Sequence, residues 1–321
     1  MGDITTYNNI NSDPVDYITI NDAIKKQKTF LYQDSSQCVL SGFSCLDIIK
    51  KGWMPGEFCI IGGRPGMGKT GFVFSLIRNL LNEKIPVSLF TASDTNNIHY
   101  ISRLVSCIED IKPCVSSKDT LSNMHEVNYP LYLNFQSRLS LSYIRENAFI
   151  LIQKYGVKCI FIETIQSIFN SEINGNTKEG MEHICNELKI LARELKVPII
   201  ITSELNRSVE HREGIDGKEP FIDDLRSSSA IESEADSIIL YWRPSYYRIN
   251  CDVYGNNLRD ISIVKIAKNQ YGSIGEVRLR YDVYSGTVDS IDLENNRLNV
   301  LIDLFGQETP VEVELFQVKK A

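Results

Sequence analysis

The residues with the clearest chemistry form a phosphate-binding loop of the type GxxxxGK[ST]. They are Gly63, Arg64, Pro65, Gly66, Met67, Gly68, Lys69 and Thr70, with Gly71 directly after them. The glycines allow successive backbone N–H groups to turn inward and approach phosphates closely. Lys69 supplies a positive charge for the β- and γ-phosphates, and the Thr70 hydroxyl can ligate Mg²⁺. The loop therefore predicts a site for ATP, or a close relative of ATP, together with Mg²⁺.

The residues on either side of the loop support this interpretation. A short apolar run at 58–61 is typical of a buried parallel strand, and residues 71–81 carry apolar side chains at helical spacing. The loop thus joins a strand to the start of a helix, where backbone N–H groups and the helix dipole favour an anion.

The rest of the chain alternates short apolar strands with amphipathic helices. Strands are predicted at 85–91, 157–162, 197–202, 237–242, 260–268 and 277–284, and helices at 140–155 and 178–196. This alternation predicts an α/β fold with a mostly parallel sheet covered by helices on both faces. Ligands of such sheets bind at the carboxyl ends of the strands, where the loop, Glu163 and the pair Ser203-Glu204 all lie.

Both ends of the chain are predicted to lie outside this core. Residues 17–32 favour a helix, which makes residues 1–38 an N-terminal arm. Residues 39–286 then form the main domain, and residues 287–321 a β-rich C-terminal extension. Alternating apolar and polar residues at 289–318 predict two or three short strands on the edge of the main sheet.

Composition excludes several classes of protein. No apolar stretch reaches the length of a membrane span, and the polar N-terminus lacks the apolar core of a signal peptide. The eight cysteines are scattered without CxxC pairs, which favours reduced thiols and a cytoplasmic protein. The four histidines are dispersed, so a metal site built on them is not expected. The net charge of −7 argues against wholesale coating of nucleic acid, but a local basic loop can still bind a phosphate backbone.

Several segments together resemble the motor domain of DnaB-type replicative DNA helicases. They read "VLSGFSCLDIIKKGWMPGEFCIIGGRPGMGKT", "CIFIETIQS", "LARELKVPIIITSELNRSVEHRE", "DDLRSSSAIESEADSIILYWR" and "IAKNQYGSIGEVRLRYD". The resemblance covers residues 39–282, with the motifs in the family's order. It implies a RecA-like P-loop NTPase fold, a ring-shaped hexamer, ATP bound between subunits and single-stranded DNA in the central channel.

The resemblance also assigns candidate catalytic residues: Asp94, Glu163, Glu204 and Lys268. The family's strand-end Asp on the Mg²⁺ side is replaced here by Glu163. The family's catalytic Glu corresponds to Ser93 in an ungapped alignment, and to Asp94 when the following helix is matched. With Asp94 a shorter carboxylate polarises the attacking water, whereas with Ser93 the general base is missing.

Two further positions depart from the family. Glu204 replaces the glutamine that senses the γ-phosphate, which places negative charge near a highly charged group. In the family's K-x-R finger pair Lys268 is retained, but the arginine becomes Gln270. An arginine finger is worth about 10³- to 10⁵-fold in rate in phosphoryl-transfer enzymes. Three hypotheses follow: a helicase or translocase, a hydrolytically impaired assembly or regulatory protein, and, least supported, a RecA-like ATPase outside the replicative group.

The resemblance places the DNA contacts in two loops, at 170–178 and 207–229. Arg207, Arg212 and Arg226 are the candidate DNA-binding residues, and six acidic residues in the second loop predict weak, salt-sensitive binding. The family also carries an N-terminal helical domain that binds primase, and residues 1–38 are too few for it. The helix at 17–32 corresponds in position to the family's linker helix. A helicase loader or a primase is therefore a possible partner, and a homo-oligomer is expected.

Overall fold

A computed structural model describes residue 20 and residues 38–92, 98–109, 128–169, 178–252, 255–291, 297–304 and 307–314. The chain divides into two units, Met1–Cys38 and Val39–Ala321. The predicted helix at 17–32 lies outside the described residues except for Ile20, which is helical. The division into an arm, a main domain and an extension stays a prediction.

Strands and helices alternate along the described part of the second unit. The strands are β1 (Phe58–Gly63), β2 (Val87–Thr91), β3 (Leu131–Phe135), β4 (Leu139–Ser140), β5 (Cys159–Glu163), β6 (Ile168–Phe169), β7 (Ile199–Glu204), β8 (Ser237–Trp242), β9 (Ile261–Asn269), β10 (Gly275–Tyr281), β11 (Val288–Asp289), β12 (Arg297–Leu304) and β13 (Gln307–Glu314). The α-helices are α1 (Ser44–Lys50), α2 (Lys69–Asn82), α3 (Ile98–Ile108), α4 (Leu141–Tyr155), α5 (Lys178–Leu195), α6 (Ser208–His211), α7 (Gly214–Lys218) and α8 (Ser228–Glu234). In the described residues, no helix has both the length and the apolar character needed to cross a bilayer.

Nine of these strands form one sheet, in the order β3-β2-β5-β7-β1-β8-β9-β10-β11. Pairing is parallel from β3 to β8 and antiparallel from β8 to β11. The predicted α/β class with a mostly parallel sheet is therefore confirmed.

The sheet separates two apolar cores, because successive side chains of a strand point to opposite faces. On β1, Cys59 and Ile61 join the core that contains Phe72 of α2, whereas Ile60 joins the core that contains Leu188 of α5. All six residues of β1 are buried, as a central parallel strand requires. The helices covering both faces hold the central strands, and with them the site at their carboxyl ends.

Two features of the sheet differ from the sequence prediction. Strand β3, which the periodicity did not indicate, forms the edge beside β2 and is only half-buried. The predicted placement of residues 289–318 on the main sheet is wrong for most of the part that the structure describes, since β12 and β13 form a separate two-stranded sheet. Among the described residues of this segment, β11 alone extends the main sheet, beside β10. Two antiparallel strands that are close in sequence pair with each other at little cost in loop entropy, which explains why this segment forms its own hairpin.

Candidate active site

The phosphate-binding loop lies between the carboxyl end of β1 and the first turn of α2. Gly66 and Gly68 have φ values of 74° and 107°, in the left-handed region that favours glycine. The Lys69 ammonium donates to the carbonyl oxygens of Gly63 at 2.6 Å and Arg64 at 3.2 Å. Burial lowers the pKa of Lys69 to about 8, and the Glu204 and Glu163 carboxylates oppose that shift. The loop therefore places its lysine against its own backbone, close to two acidic side chains.

Gly71, the third residue of α2, is needed because another part of the chain passes very close to it. A Cβ atom at this position would lie 1.7 Å from the carbonyl oxygen of Gly286. Residues 282–287 form a turn between β10 and β11, closed by hydrogen bonds between Asp282 and Thr287 and between Gly286 and Asp282. The first turn of α2 thus packs directly against that turn.

Two arginines, one within the loop and one outside it, support its conformation. Arg64 donates from Nε and NH2 to Oε1 of Glu210, at 2.9 and 2.7 Å, and from NH1 to the carbonyl of Leu205 at 2.7 Å. Arg243, just after β8, donates from Nε to the carbonyl of Met67 at 2.6 Å. Its guanidinium also lies 3.8 Å from the ring centroid of Tyr281. The Arg64 guanidinium ties the loop to the segment after β7, and its part in nucleotide binding stays a prediction.

Glu163 lies at the end of β5, next to the start of α2, as the sequence predicts. Its Oε1 accepts a hydrogen bond from the Thr70 hydroxyl. Its Oε2 accepts a hydrogen bond from the hydroxyl of Tyr100 on α3. Burial, together with the Glu163 carboxylate, raises the pKa of Tyr100 well above its usual value, so this phenol remains a donor. Sequence reasoning missed Tyr100, whose only signal was a polar hydroxyl on the apolar face of a helix.

The Thr70 and Glu163 oxygens suit a hard cation such as Mg²⁺, which prefers oxygen ligands and keeps several waters and substrate phosphates. Across the described residues, no three His, Cys, Asp or Glu side chains are grouped to hold a metal by themselves. A site that shares its metal with nucleotide phosphates therefore fits these residues better than an all-protein metal centre. The metal assignments of Thr70 and Glu163 stay predictions.

Glu204 ends β7, one strand away from Glu163 and paired in register with Gly63 of β1. Its carboxylate lies 3.4 Å from NH1 of Arg226. Its backbone N–H donates to Gln166 at 3.3 Å, and its carbonyl accepts from the Arg226 N–H at 3.1 Å. The acid at the position of the family's sensor is thus paired with an arginine of the predicted second DNA loop.

A cleft of about 450 Å³ opens between the phosphate loop and this segment. It is lined by Arg64, Pro65, Glu204, Leu205, Asn206, Arg207 and Arg226. Two of the three predicted DNA-binding residues, Arg207 and Arg226, therefore lie at its wall, and both are exposed. Arg212 points into its own loop, where NH2 donates to Asp224 at 2.7 Å and the guanidinium lies 5.5 Å from the ring centroid of Phe221.

The finger positions lie at the end of β9. The Lys268 ammonium donates to the carbonyl of Glu232 at 2.6 Å, and Gln270 is exposed. Asp94 and its alternative Ser93 lie outside the described residues, as does most of the first predicted DNA loop. The roles of these residues stay predictions.

Comparison with known proteins gives a consistent result. The model of the family described as DnaB-like helicase C-terminal domain matches residues 38–287. A probable replicative DNA helicase of Trieres chinensis is 30% identical over 256 residues, covering 75% of this chain and 55% of that protein. The replicative DNA helicase DnaB of Geobacillus stearothermophilus is 29% identical over 253 residues, covering 75% of this chain and 54% of that protein. The chain spans about half the length of these relatives.

Solved structures extend the similarity to the fold. A DnaB-like replicative helicase, in a study of its interactions with primase, superposes with a TM-score of 0.73 at 25% identity, covering 86% of this chain and 68% of that one. A second solved structure, of an isolated ATPase domain, gives a TM-score of 0.71 at 26% identity, covering 86% of this chain and all of that one. The resemblance inferred from the motifs and the predicted RecA-like fold are therefore confirmed.

Proposed function

Because the chain belongs to the family of DnaB-like helicase C-terminal domains, we propose that it is an ATP-driven helicase motor acting on single-stranded DNA. The observation that carries this proposal is the contact between the Thr70 hydroxyl and the Glu163 carboxylate. A hydroxyl of the phosphate loop beside a strand-end carboxylate is the pair that holds Mg²⁺ next to the β- and γ-phosphates of P-loop NTPases.

Within this proposal the loop binds the phosphates, and residues of neighbouring strands assist hydrolysis. The backbone N–H groups of the loop, with the exception of Pro65, which has none, are proposed to bind the phosphates. Lys69 turns from its carbonyl partners to the β- and γ-phosphates. Mg²⁺, when bound, offsets the charge of the phosphate oxygens. Asp94 is proposed as the general base, Glu204 as the residue nearest the γ-phosphate, and Lys268 as the cation supplied to a neighbouring subunit. The neighbouring subunit belongs to a hexameric ring.

Single-stranded DNA is proposed to bind the exposed arginines of the segment after β7. Arg207 and Arg226 can reach phosphates at the surface, whereas Arg212 acts by holding the loop through Asp224. Each phosphate neutralised by a side chain releases counterions, so binding should weaken steeply with salt. A loader or primase as partner and a cytoplasmic location belong to the same proposal.

A second candidate function is a nucleotide-binding protein that hydrolyses ATP slowly and acts in assembly or regulation. The observation that favours it is Gln270, an uncharged and exposed side chain where the resemblance assigns the arginine finger. Without a guanidinium the charge that develops on the transferring phosphoryl group lacks one of its stabilising partners.

The experiment that separates the two candidates is steady-state ATP hydrolysis with and without single-stranded DNA, with Lys69→Ala as the blank. If the wild type hydrolyses ATP much faster than the blank, and if DNA stimulates this turnover, the result supports the motor. Turnover equal to the blank, with measurable ATP binding, supports the second candidate. A chain that binds no nucleotide contradicts both.

The DNA interface is tested by Arg226→Ala, which should weaken DNA binding and lower the slope of log K against log salt by about 1. The matched control is Lys154→Ala. Lys154 is exposed near the end of α4, shortly before β5 begins, and so lies near the amino end of that strand, away from the carboxyl ends that carry the site. An equal effect of the two substitutions would contradict the proposed interface.

A further inference from the structure

Tyr100 is held in place by the packing of its ring. It lies in the first turn of α3 and is only 9% exposed. Its ring makes edge contacts with Phe74 of α2, at a centroid distance of 5.2 Å, and with Phe135 of β3, at 6.1 Å. Aromatic edges on two different elements therefore fix the direction of the hydroxyl, which points to Glu163.

The two oxygens of the Glu163 carboxylate have different donors. Oε1 accepts from Thr70 at the start of α2, and Oε2 accepts from Tyr100 at the start of α3. A glutamate has one more rotatable bond than an aspartate, so its carboxylate can turn through a wider range when only one oxygen is held. With both oxygens held, the carboxylate has a single orientation beside the phosphate loop.

We propose that Tyr100 is a positioning residue for Glu163, which it holds in the orientation that receives Mg²⁺ with the nucleotide. The inference rests on the proposed nucleotide-binding function and adds a residue to it. Tyr100 touches neither the nucleotide nor the metal in this scheme. It acts through the carboxylate alone, as the partners of metal-binding carboxylates commonly do.

The test is Tyr100→Phe in the full chain, because this substitution keeps the ring and its contacts and removes only the hydroxyl. Binding of a fluorescent ATP analogue is titrated with Mg²⁺, and the affinity for Mn²⁺ in the presence of ADP is measured by electron paramagnetic resonance. Loss of an outer partner of a metal ligand typically costs about 10- to 100-fold in metal affinity, so a loss of about 10-fold is expected. Binding of the analogue in EDTA should equal that of the wild type.

The matched control is Tyr143→Phe, which removes another tyrosine hydroxyl that donates a hydrogen bond, to Asn134 at 3.0 Å. This variant should keep the wild-type metal affinity. In a Glu163→Ala background, Tyr100→Phe should cause no further loss, because the carboxylate through which it acts is absent.

Wild-type metal affinity in Tyr100→Phe would overturn the inference, and so would tighter binding, which would mean that the phenol competes with the metal. A further loss in the Glu163→Ala background would also overturn it, since Tyr100 would then act through packing. If the wild-type chain binds no nucleotide at all, the proposed function fails rather than this inference alone.

Discussion

Lys69→Met should remove nucleotide binding with little change in the stability of the free protein. In the free chain the lysine charge is held at a cost, because burial lowers its pKa from 10.5 to about 8. A shift of that size corresponds to about 3 kcal/mol at neutral pH. Methionine removes that cost, but it leaves the carbonyls of Gly63 and Arg64 without the donor they have in the wild type, and an acceptor that loses its partner costs about 1.5 kcal/mol.

The two contributions nearly cancel, so the free energy of unfolding should change by no more than about 1 kcal/mol. The carbonyl of Gly63 also keeps a partner in the variant, the N–H of Leu205 at 3.3 Å. Methionine retains the length of the lysine stem and so limits the loss of packing.

The effect of nucleotide should differ sharply between the two proteins. At about 100 times its Kd, a ligand that binds only the folded state adds about 2.7 kcal/mol of stability. For a unit of this size that corresponds to a rise in Tm of about 5 °C. The wild type should show this rise with Mg²⁺ and ATP, and Lys69→Met should show none.

The assay is thermal and urea unfolding with and without nucleotide. Lys69→Arg serves as the control, because it keeps the positive charge while changing its geometry. The reasoning is refuted if Lys69→Met lowers the free energy of unfolding by much more than about 1 kcal/mol in the absence of nucleotide. It is also refuted if ATP still raises the Tm of this variant.

Three further predictions concern other parts of the chain. Gln270→Arg should raise ATP turnover by about 10³-fold if the finger alone limits hydrolysis, and an unchanged rate would mean that the base or the Mg²⁺ site limits it. Lys50→Met should lower the free energy of unfolding in urea by about 3 kcal/mol, because it leaves the Glu57 carboxylate, 2.7 Å from the Lys50 ammonium and equally buried, without its counter-charge. Adding Glu57→Gln should recover part of that loss. An unchanged free energy of unfolding in Lys50→Met would contradict the argument. Glu276 is exposed on β10, but partial desolvation by its neighbours, reinforced by Glu219, raises its pKa. Its contribution to stability is therefore small and falls as pH rises from the unfolded value of about 4.5 through the folded pKa. Glu276→Gln should therefore have a higher Tm than the wild type at pH 7 and the same Tm at low pH, and a lower Tm at pH 7 would refute this.

The central elements could be predicted from the sequence because their patterns are strong and local. The predicted helix at 178–196 is observed as Lys178–Leu195, and the predicted strand at 58–61 is observed as Phe58–Gly63. A buried parallel strand reads as a continuous apolar run, and a helix of five turns shows its apolar face several times. The half-buried strand Leu131–Phe135 has neither signal, since it lies at an edge of the sheet.

The placement of Glu163 beside Thr70 followed from topology, because parallel strands have their carboxyl ends on the same side of the sheet, where ligands bind. The contacts of Arg64, Tyr100 and Arg243 could not be obtained in this way. They join residues 146, 63 and 176 positions apart, and each depends on the direction of a long side chain. Periodicity reports which face of an element a residue occupies, but it does not report which polar atom that residue reaches.

The altered acids of the site already have partners within this chain, which separates binding from hydrolysis. Glu163 is held by Thr70 and Tyr100, and the Glu204 carboxylate faces Arg226. A carboxylate with an opposing cation repels a nearby triphosphate less than an unpaired one, so Arg226 should offset part of the repulsion from Glu204. Glu163 has neutral partners, and we expect it to act with Mg²⁺ rather than against the phosphates. Gln270 is different, since its side chain carries no charge of its own to offer at the position that the resemblance assigns to the arginine finger. The acids at 163 and 204 thus have partners inside the fold, whereas the proposed changes at the base position (Ser93 or Asp94) and at Gln270 would act on the transition state. A measurement of nucleotide binding and a measurement of ATP turnover can therefore give opposite answers for this protein.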